Sequence, residues 1–429
     1  MSAGAGGMFA RGDNSSKPPR HTPGGPSGEG LKVSRSRRNT AWTGVGALIV
    51  VVIFAILPYE VYTGTTAILV QGFIILTLAS MWNLLAGYAG LVSVGQQAFL
   101  GLGAYFVLIP AMHGVSPFAG IVIAAVGAGV CAIPLWWLVS RLRTGYFAIA
   151  TWVLASAIML FIERFPSIGG GTGMPLPGLT GMDPTLLSAY TYWAGLAVVV
   201  LAIAGVYFLL RSRVGLVLTA IRDDETAARS SGVRVGFARA LVFVVAAVGC
   251  GAAGGVLAIE QLGVQPGTSG GVFSVTWTAI MAFAVIIGGI GTIEGPIVGT
   301  IVYMVLQQAL QHYNAWYLII LGLVAILITL FARRGLWGTL DEKFSIRLLP
   351  TGYYVRLPGE QRGRGGWRRR APLAPAGDGG PEGPAADAMT AEAPEASAAE
   401  APAADTPAAE ASAAEAPAAE PAKGAAKKE

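Results

Sequence analysis

The chain has 429 residues, of which 54% are hydrophobic and only 12% are charged, and its formal net charge is +5. Soluble domains carry about 25% charged residues, so this composition and its long apolar blocks exclude an ordinary soluble domain and indicate a polytopic membrane protein. The arginine clusters adjoin apolar stretches and lack interleaved aromatic residues, so nucleic acid is not predicted as a partner.

Ten apolar stretches follow a basic N-terminal arm, residues 1–38, for which we predict disorder because it has few apolar residues. A helix that crosses a bilayer needs about 20 mostly apolar residues. Stretches near this length lie at about 42–58, 65–84, 91–111, 118–140, 145–162, 190–210, 237–260, 274–288, 296–312 and 315–332. The eighth and ninth are short, and 288–296 is also consistent with a re-entrant break. The sequence therefore predicts an all-α polytopic membrane protein with about ten transmembrane helices, in a range of eight to ten.

The placement of arginine predicts which loops face the cytoplasm, because positive charge is retained on that side. Basic residues precede the first apolar stretch, so the N-terminus is predicted to be cytoplasmic. The even-numbered loops and the segment after the tenth stretch then hold nearly all the arginines, namely Arg141, Arg143, the six of 211–239, Arg333 and Arg334. The odd-numbered loops hold only Arg164. Both termini are therefore predicted to be cytoplasmic.

The sequence divides into four regions. The transmembrane domain is predicted over 39–340, with a cytoplasmic loop at 211–239 and an extracytoplasmic loop at 163–189. A basic juxtamembrane segment, 341–370, has the charge to lie on anionic membrane lipid. The Ala/Pro/Glu-rich tail, 371–429, has too few large apolar residues to fold and is predicted to be disordered.

The loop at 211–239 is the most highly charged part of the transmembrane domain. Nine of the 17 charged residues between positions 42 and 331 lie within it. Its core predicts a short helix over 219–230, with Gly232 placed to end it. Two interpretations remain open, an ordinary solvated loop or a helix that lies on the membrane surface and binds a partner.

A glycine-rich segment at 87–105 interrupts the third apolar stretch and carries Gln96 and Gln97. Lipid offers amides no hydrogen-bond partner, so this face must be buried in protein or line a polar cavity. Packing through small residues explains the glycines equally well. Packing alone and packing with a role in translocation therefore both remain open, and the candidate path residues are Ser93, Gln96, Gln97 and Tyr105.

Two further interruptions carry weaker signals. The Gly/Pro-rich residues 166–184 predict an irregular outer loop, which is either a contact for an extracytoplasmic partner or a connector. Glu294 lies between two apolar stretches, where a solvated turn residue is favoured over a functional carboxylate within the membrane.

Motifs for catalysis are missing from the sequence. It has no G-x-x-x-x-G-K-[ST] loop, and no lysine lies between Lys32 and Lys343, so ATP hydrolysis by the usual phosphate-binding loop is excluded. No nucleophile–base pair, metal-ligand spacing or cofactor motif is present, and no catalytic or metal-binding residue is predicted. An ion-coupled carrier would be expected to have acidic residues in the middle of its spans.

Six motifs lie in order over about 82–338, namely GLVSVGQQAFLGLGAY, GYFAIATW, GGGTGM, the inner loop R-x-D-E-x-A-A-x-x-x-G, GGIGTIEGPIVG and RRGLWG. Together they resemble the motifs of the LivM-type branched-chain amino acid permeases of ATP-binding-cassette (ABC) importers. The inner loop resembles the family's ATPase-coupling motif through Arg222, Asp224, Glu225, Ala227, Ala228 and Gly232. It departs from the usual pattern at Thr226 and at Ser230–Ser231.

The resemblance implies a permease subunit of an ABC importer in a bacterial-type plasma (inner) membrane. Its implied partners are a second homologous permease, two ATPase subunits that bind the ATP, and an extracytoplasmic substrate-binding protein. The predicted substrate is a branched-chain amino acid, with urea or a short amide as the alternative. A passive channel, an ion-coupled carrier or a membrane scaffold are the alternatives from other classes.

Overall fold

The structure is a computed structural model that describes residues 32–34, 37–59, 63–142, 144–179, 181–267, 270–310, 316–331, 335–344 and 354–356. All of these residues belong to one unit, Met1–Glu360. The predicted tail at 371–429 lies outside the described residues, as do residues 1–31 of the predicted N-terminal arm.

Helices dominate the described residues, which confirms the all-α class. Ten apolar helices lie at the ten predicted stretches: α1 (Arg37–Ile56), α2 (Thr63–Asn83), α3 (Gln97–Met112), α4 (Pro117–Val139), α5 (Thr144–Glu163), α6 (Pro184–Arg211), α9 (Val235–Glu260), α10 (Val275–Gly288), α11 (Gly295–Leu310) and α12 (Trp316–Phe331). Three shorter helices that carry charged residues also lie among the described residues: α7 (Arg213–Asp223), α8 (Glu225–Ser230) and α13 (Gly335–Phe344).

Short non-α elements join these helices. One π-helical turn, Leu84–Tyr88, continues α2, and 3-10 turns lie at Leu57–Tyr59 and Pro166–Ile168. Strand β1 (Lys32–Ser34) pairs antiparallel with β4 (Tyr354–Arg356), and β2 (Met174–Pro175) pairs antiparallel with β3 (Gly263–Val264).

Two boundaries differ from the prediction. Residues 32–34 form a strand, and α1 begins at Arg37 rather than at the predicted start of the transmembrane domain, 39. The outer loop ends at Asp183 rather than at 189, because the Asp183 carboxylate accepts a hydrogen bond from the Thr185 amide and Pro184 occupies the first helical position of α6.

The helices α2 and α9 form the centre of the bundle, and glycines bring their neighbours close. A Cβ added at Gly103 of α3 would lie 2.1 Å from the Gly251 carbonyl of α9, and one at Gly254 would lie 1.9 Å from the Leu100 carbonyl. A Cβ at Gly251 would meet Ala128 of α4 at 2.3 Å. These contacts show the small-residue packing that the glycine-rich segment predicts.

Within the part of the chain that the structure describes, five helices are long and apolar enough to cross a membrane on their own: α2 with its π-helical turn, α4, α5, α6 and α9. The short pair α10 and α11 packs closely, since a Cβ at Gly299 would lie 1.6 Å from the Ala284 carbonyl. The 14 residues of α10 extend about 21 Å, less than the roughly 30 Å of hydrocarbon. The number of crossings after residue 239 therefore stays a prediction.

The two ends of α9 mark two ends of the bundle. At its N-terminal end, Arg239 contacts Ala89, a Cβ at Gly87 would lie 2.6 Å from the Gly291 amide, and Gly335 packs on Gly289. At its C-terminal end, β3 pairs with β2 of the outer loop. The predicted cytoplasmic loops thus gather at one end of the bundle, and the predicted outer loop lies at the other.

Candidate functional site

The charged loop folds as two helices, which corrects the single helix predicted over 219–230. The break lies at Asp224, whose backbone is extended, with φ of −157°. Its carboxylate Oδ1 accepts hydrogen bonds from the amides of Thr226 at 2.8 Å and Ala227 at 3.0 Å. An N-cap satisfies the amides that a helix start leaves unpaired. Asp224 therefore starts α8 rather than lying inside a longer helix.

The C-terminal end of α8 agrees with the prediction for Gly232. This glycine has φ of +80°, and its amide donates to the Arg229 carbonyl at 3.0 Å. The Val233 amide donates to the Ala228 carbonyl at 3.2 Å. These two bonds form a Schellman motif, in which a left-handed residue ends the helix.

Replacing Gly232 with alanine is expected to loosen this end of α8. No atom lies within 4 Å of the position that a Cβ would take, so the cost comes only from the left-handed backbone and is about 1 kcal/mol. Amide hydrogen exchange at Val233 should become about fivefold faster. The control is Gly236→Ala, where an added Cβ also lies in open space but φ is not positive. Equal changes in amide exchange in the two variants would show that the left-handed backbone is not the cause.

Glu225 is held by two arginines. Arg239 of α9 donates from Nη1 to Oε1 at 3.0 Å and from Nη2 to Oε2 at 2.9 Å, and Arg229 donates from Nη2 to Oε1 at 2.6 Å. The hydrogen bonds from Arg239, and then those from Arg229, lower the pKa of the Glu225 carboxyl below its usual value. The ion pairs therefore contribute fully above about pH 4.5, the ordinary value for this carboxyl, and are lost as the pH falls through the lowered pKa.

The other predicted coupling residues lie on different sides of the two short helices. Ala228 is buried, whereas Ala227, Asp224 and Gly232 are exposed. Arg222 ends α7, and its guanidinium packs against the backbone of Gly291, where an added Cβ would lie 2.5 Å from Nη1. The six residues therefore form one local group, in which Glu225 is half-buried and Arg222, although exposed, contacts Gly291.

The predicted path residues lie in and after a non-helical segment, 89–96, between the π-helical turn and α3, in which Gly90 and Val92 are exposed and most of the other residues are buried. The Trp82 indole donates to the Ser93 carbonyl at 3.0 Å, and the Val94 amide donates to Thr151 Oγ1 at 3.2 Å. A Cβ at Gly95 would lie 2.0 Å from the Thr151 carbonyl. The segment is thus fixed to α2 on one side and to α5 on the other.

The two glutamines differ in their partners. Thr278 of α10 donates its hydroxyl hydrogen bond to Gln97 Oε1. Among the residues that the structure describes, Gln96 Oε1 and the Tyr105 hydroxyl of α3 are buried without a hydrogen-bond partner. Buried polar atoms are usually paired, so a further group could satisfy these two. Ser93, Gln96, Gln97 and Tyr105 are all buried, and their role in translocation stays a prediction.

Glu294 is buried, with 8% of its surface exposed, so the favoured prediction of a solvated turn residue is wrong. Its loop is fixed by Asn83, whose Nδ2 donates to the Thr292 carbonyl at 2.7 Å and whose Oδ1 accepts from the Gly291 amide at 2.8 Å. Tertiary packing against the end of α2 therefore removes this turn from solvent.

Sequence reasoning missed Asn83 and Arg239 as site residues. Asn83 sits within an apolar helix, and Arg239 was noted only as one of nine charges in the loop. The available signal for Asn83 was an amide at the end of an apolar helix, since such a group needs a partner. Among the described residues, no three of His, Cys, Asp and Glu come together so as to hold a metal ion.

The comparisons with known proteins agree on one family. The profile described as "Branched-chain amino acid transport system / permease component" matches residues 64–329. The high-affinity branched-chain amino acid transport system permease protein LivM of Escherichia coli (strain K12) is 26% identical over 306 residues, which covers 65% of this chain and 71% of the relative. LivM of Salmonella typhimurium (strain LT2) is 27% identical over 311 residues, with the same two coverages. No solved structure matches this chain significantly.

Proposed function

The chain belongs to the family of permease components of branched-chain amino acid transport systems, and from that premise we propose that it forms part of an importer's path for branched-chain amino acids. Its family and its membrane-length helices place it among the multi-pass proteins of a bacterial-type plasma membrane. The match over residues 64–329, which covers most of the helical domain, is the observation that carries the proposal.

The energy for transport is proposed to come from separate ATPase subunits of the ABC type. The sequence has no phosphate-binding loop, and α8 presents polar, exposed residues at the end of the bundle where Arg239 contacts Ala89. We propose that the exposed side of α8, including Ala227 and Gly232, contacts an ATPase on the cytoplasmic side. Buried Ala228 and half-buried Glu225 instead fix α8 to the permease.

Two further partners complete the proposed importer. A second, homologous permease would provide the other half of the path. An extracytoplasmic binding protein would contact the opposite end, where the outer loop is ordered by the β2–β3 pair and by the hydrogen bond from the Leu176 amide to the Leu262 carbonyl at 2.9 Å. About ten crossings with both termini cytoplasmic fit this arrangement.

Gln97 offers a test of the proposed path. Replacing it with leucine removes the amide, and we expect ATP-dependent leucine uptake to fall about tenfold, because a polar group that the substrate would meet is lost. Thr278→Val is the matched control, since it removes the same hydrogen bond and leaves the Gln97 amide in place. Uptake rates should fall less in this control, and equal losses in the two variants would indicate packing alone.

The importer proposal is tested by reconstitution in proteoliposomes. The chain is combined with its candidate partner permease, ATPases and binding protein, and uptake of labelled leucine is measured with and without ATP. Uptake that requires ATP is expected. Leucine uptake without ATP would indicate a channel or a carrier, and ATP-dependent uptake of labelled urea instead of leucine would change the assigned substrate.

A further inference from the structure

We propose that Arg239 is a positioning residue that passes movement of α8 to segment 89–96 of the membrane domain. This inference rests on the proposed function, in which α8 contacts an ATPase. It concerns how a movement at the contact between α8 and the ATPase is transmitted to the proposed translocation path.

The contacts of Arg239 join two distant parts of the chain. Nη1 and Nη2 bind the two carboxylate oxygens of Glu225 at 3.0 and 2.9 Å, and Nε donates to the Ala89 carbonyl at 3.3 Å. Only 16% of the Arg239 side chain is exposed. The planar fork of a guanidinium can make these three contacts at once, whereas a lysine ammonium cannot keep the same geometry.

The helix α8 depends on this contact for its position. Six residues are too few for a helix to be stable by itself. The other partner of Glu225, Arg229, is 63% exposed and lies four residues away on the same helix, so that pair does not tie α8 to the bundle. Arg239 and the buried Ala228 therefore make the connections from α8 to α9 and beyond.

Segment 89–96 has the contacts needed to transmit a displacement of Ala89 to the proposed path residues. Ala89 directly follows the π-helical turn Leu84–Tyr88, and such turns often mark functional sites. Gly90 has φ of +68°, and the Leu91 amide donates to the Leu85 carbonyl at 3.0 Å. Beyond it, the segment is held at Ser93 and Val94 and continues into Gln97. A displacement of the Ala89 carbonyl would thus reach the proposed path residues through backbone.

A second contact leads from α7 to the same turn. The Arg222 guanidinium lies against Gly291, and Asn83, which directly precedes the π-helical turn, binds both Gly291 and Thr292. The two helices of the charged loop therefore meet the end of α2 at two points, with Arg239 as the more direct link.

The test compares Arg239→Gln with Arg229→Gln in the reconstituted importer. Each variant removes one of the two arginines that bind Glu225, but only the first breaks the contact with Ala89. The measured quantity is leucine transported per ATP hydrolysed, together with recovery of ATPase on the purified complex. We expect Arg239→Gln to recover less ATPase, because α8 loses its ion pair to α9, and we expect transport per ATP to fall about tenfold in the complex that is recovered. Arg229→Gln should stay within about twofold of the unsubstituted ratio.

A second readout does not require transport. In nanodiscs that contain the assembled complex, amide exchange of residues 91–96 should respond to ATP in the unsubstituted protein and in Arg229→Gln, but not in Arg239→Gln. If Arg239→Gln fails to insert, Arg239→Lys takes its place, because it retains the charge while losing the three-way geometry. Its transport per ATP should also fall.

Three results would overturn the proposal. The first is an unchanged ratio of leucine transport to ATP hydrolysis in Arg239→Gln, or in Arg239→Lys where that variant takes its place. The second is an equal loss in Arg229→Gln, and the third is an ATP response of residues 91–96 that survives the loss of Arg239. Failure of the proposed function gives a different result, since the unsubstituted chain would then recover no ATPase and show no ATP-dependent uptake. That result would remove the basis of this inference as well.

Discussion

Replacing Glu225 with alanine is expected to reduce ATPase recovery and ATP-dependent leucine uptake by at least about thirtyfold, the scale of a binding hot spot. The substitution removes both ion pairs of α8 and leaves the Arg239 guanidinium, largely buried, without its carboxylate. Hydrogen bonds to charged groups contribute about 1.5–3 kcal/mol, and partial exposure of Glu225 lowers this figure. The docking helix would then lose its fixed position.

The control for this prediction is Glu225→Gln, which keeps the size and one hydrogen-bond acceptor of the side chain but removes the charge. An intermediate loss is expected. Membrane insertion, measured by the yield of monodisperse protein in detergent, should be unchanged in both variants, because Glu225 lies outside the apolar helices. Full ATPase recovery and uptake by the alanine variant would refute coupling through α8.

Replacing Gly254 with alanine is expected to destabilise the whole bundle. An added Cβ would lie 1.9 Å from the Leu100 carbonyl, and this neighbour is helix backbone that cannot rotate away. The helices α3 and α9 would have to separate at the centre of the bundle, at a cost of about 3 kcal/mol. In a thermal melt followed by size-exclusion chromatography, the midpoint should fall by about 10 °C.

Gly205→Ala provides the matched control in another long apolar helix, α6. No atom lies within 4 Å of its added Cβ, so the melting midpoint should stay the same or rise slightly, as expected from the higher helix propensity of alanine. A midpoint for Gly254→Ala that matches this control would show that α3 and α9 do not pack as closely as the structure places them.

The orientation of the coupling residues indicates two separate roles, attachment of α8 to the bundle and the proposed contact with the ATPase. Glu225 and Ala228 attach α8 to the bundle, while Ala227 and Gly232 are exposed. Substitutions at the first pair should therefore disturb the position of the helix, and bulky substitutions at Ala227 should disturb only binding. The sequence motif presents all six residues as one group, because a motif does not tell which side of the helix each side chain occupies.

The sequence by itself determined the class of this protein and several local features. Long apolar blocks must be helical in lipid, because every backbone amide then finds its partner within the same segment. Gly232 was predictable as a helix end for a similar reason, since its bonds reach only to Ala228 and Arg229 nearby. The family resemblance followed from motifs in order, and the profile match confirms it.

Only the tertiary structure decided which polar groups meet. Arg239 lies 150 residues from Ala89, and Gly291 lies 208 residues from Asn83, so no local period or spacing relates them. Glu294 was misjudged for the same reason, since its solvent exposure depends on the distant end of α2 rather than on its own turn. Helices arise from bonds within one segment, whereas the link from α8 to segment 89–96 exists only after the bundle has brought remote segments together.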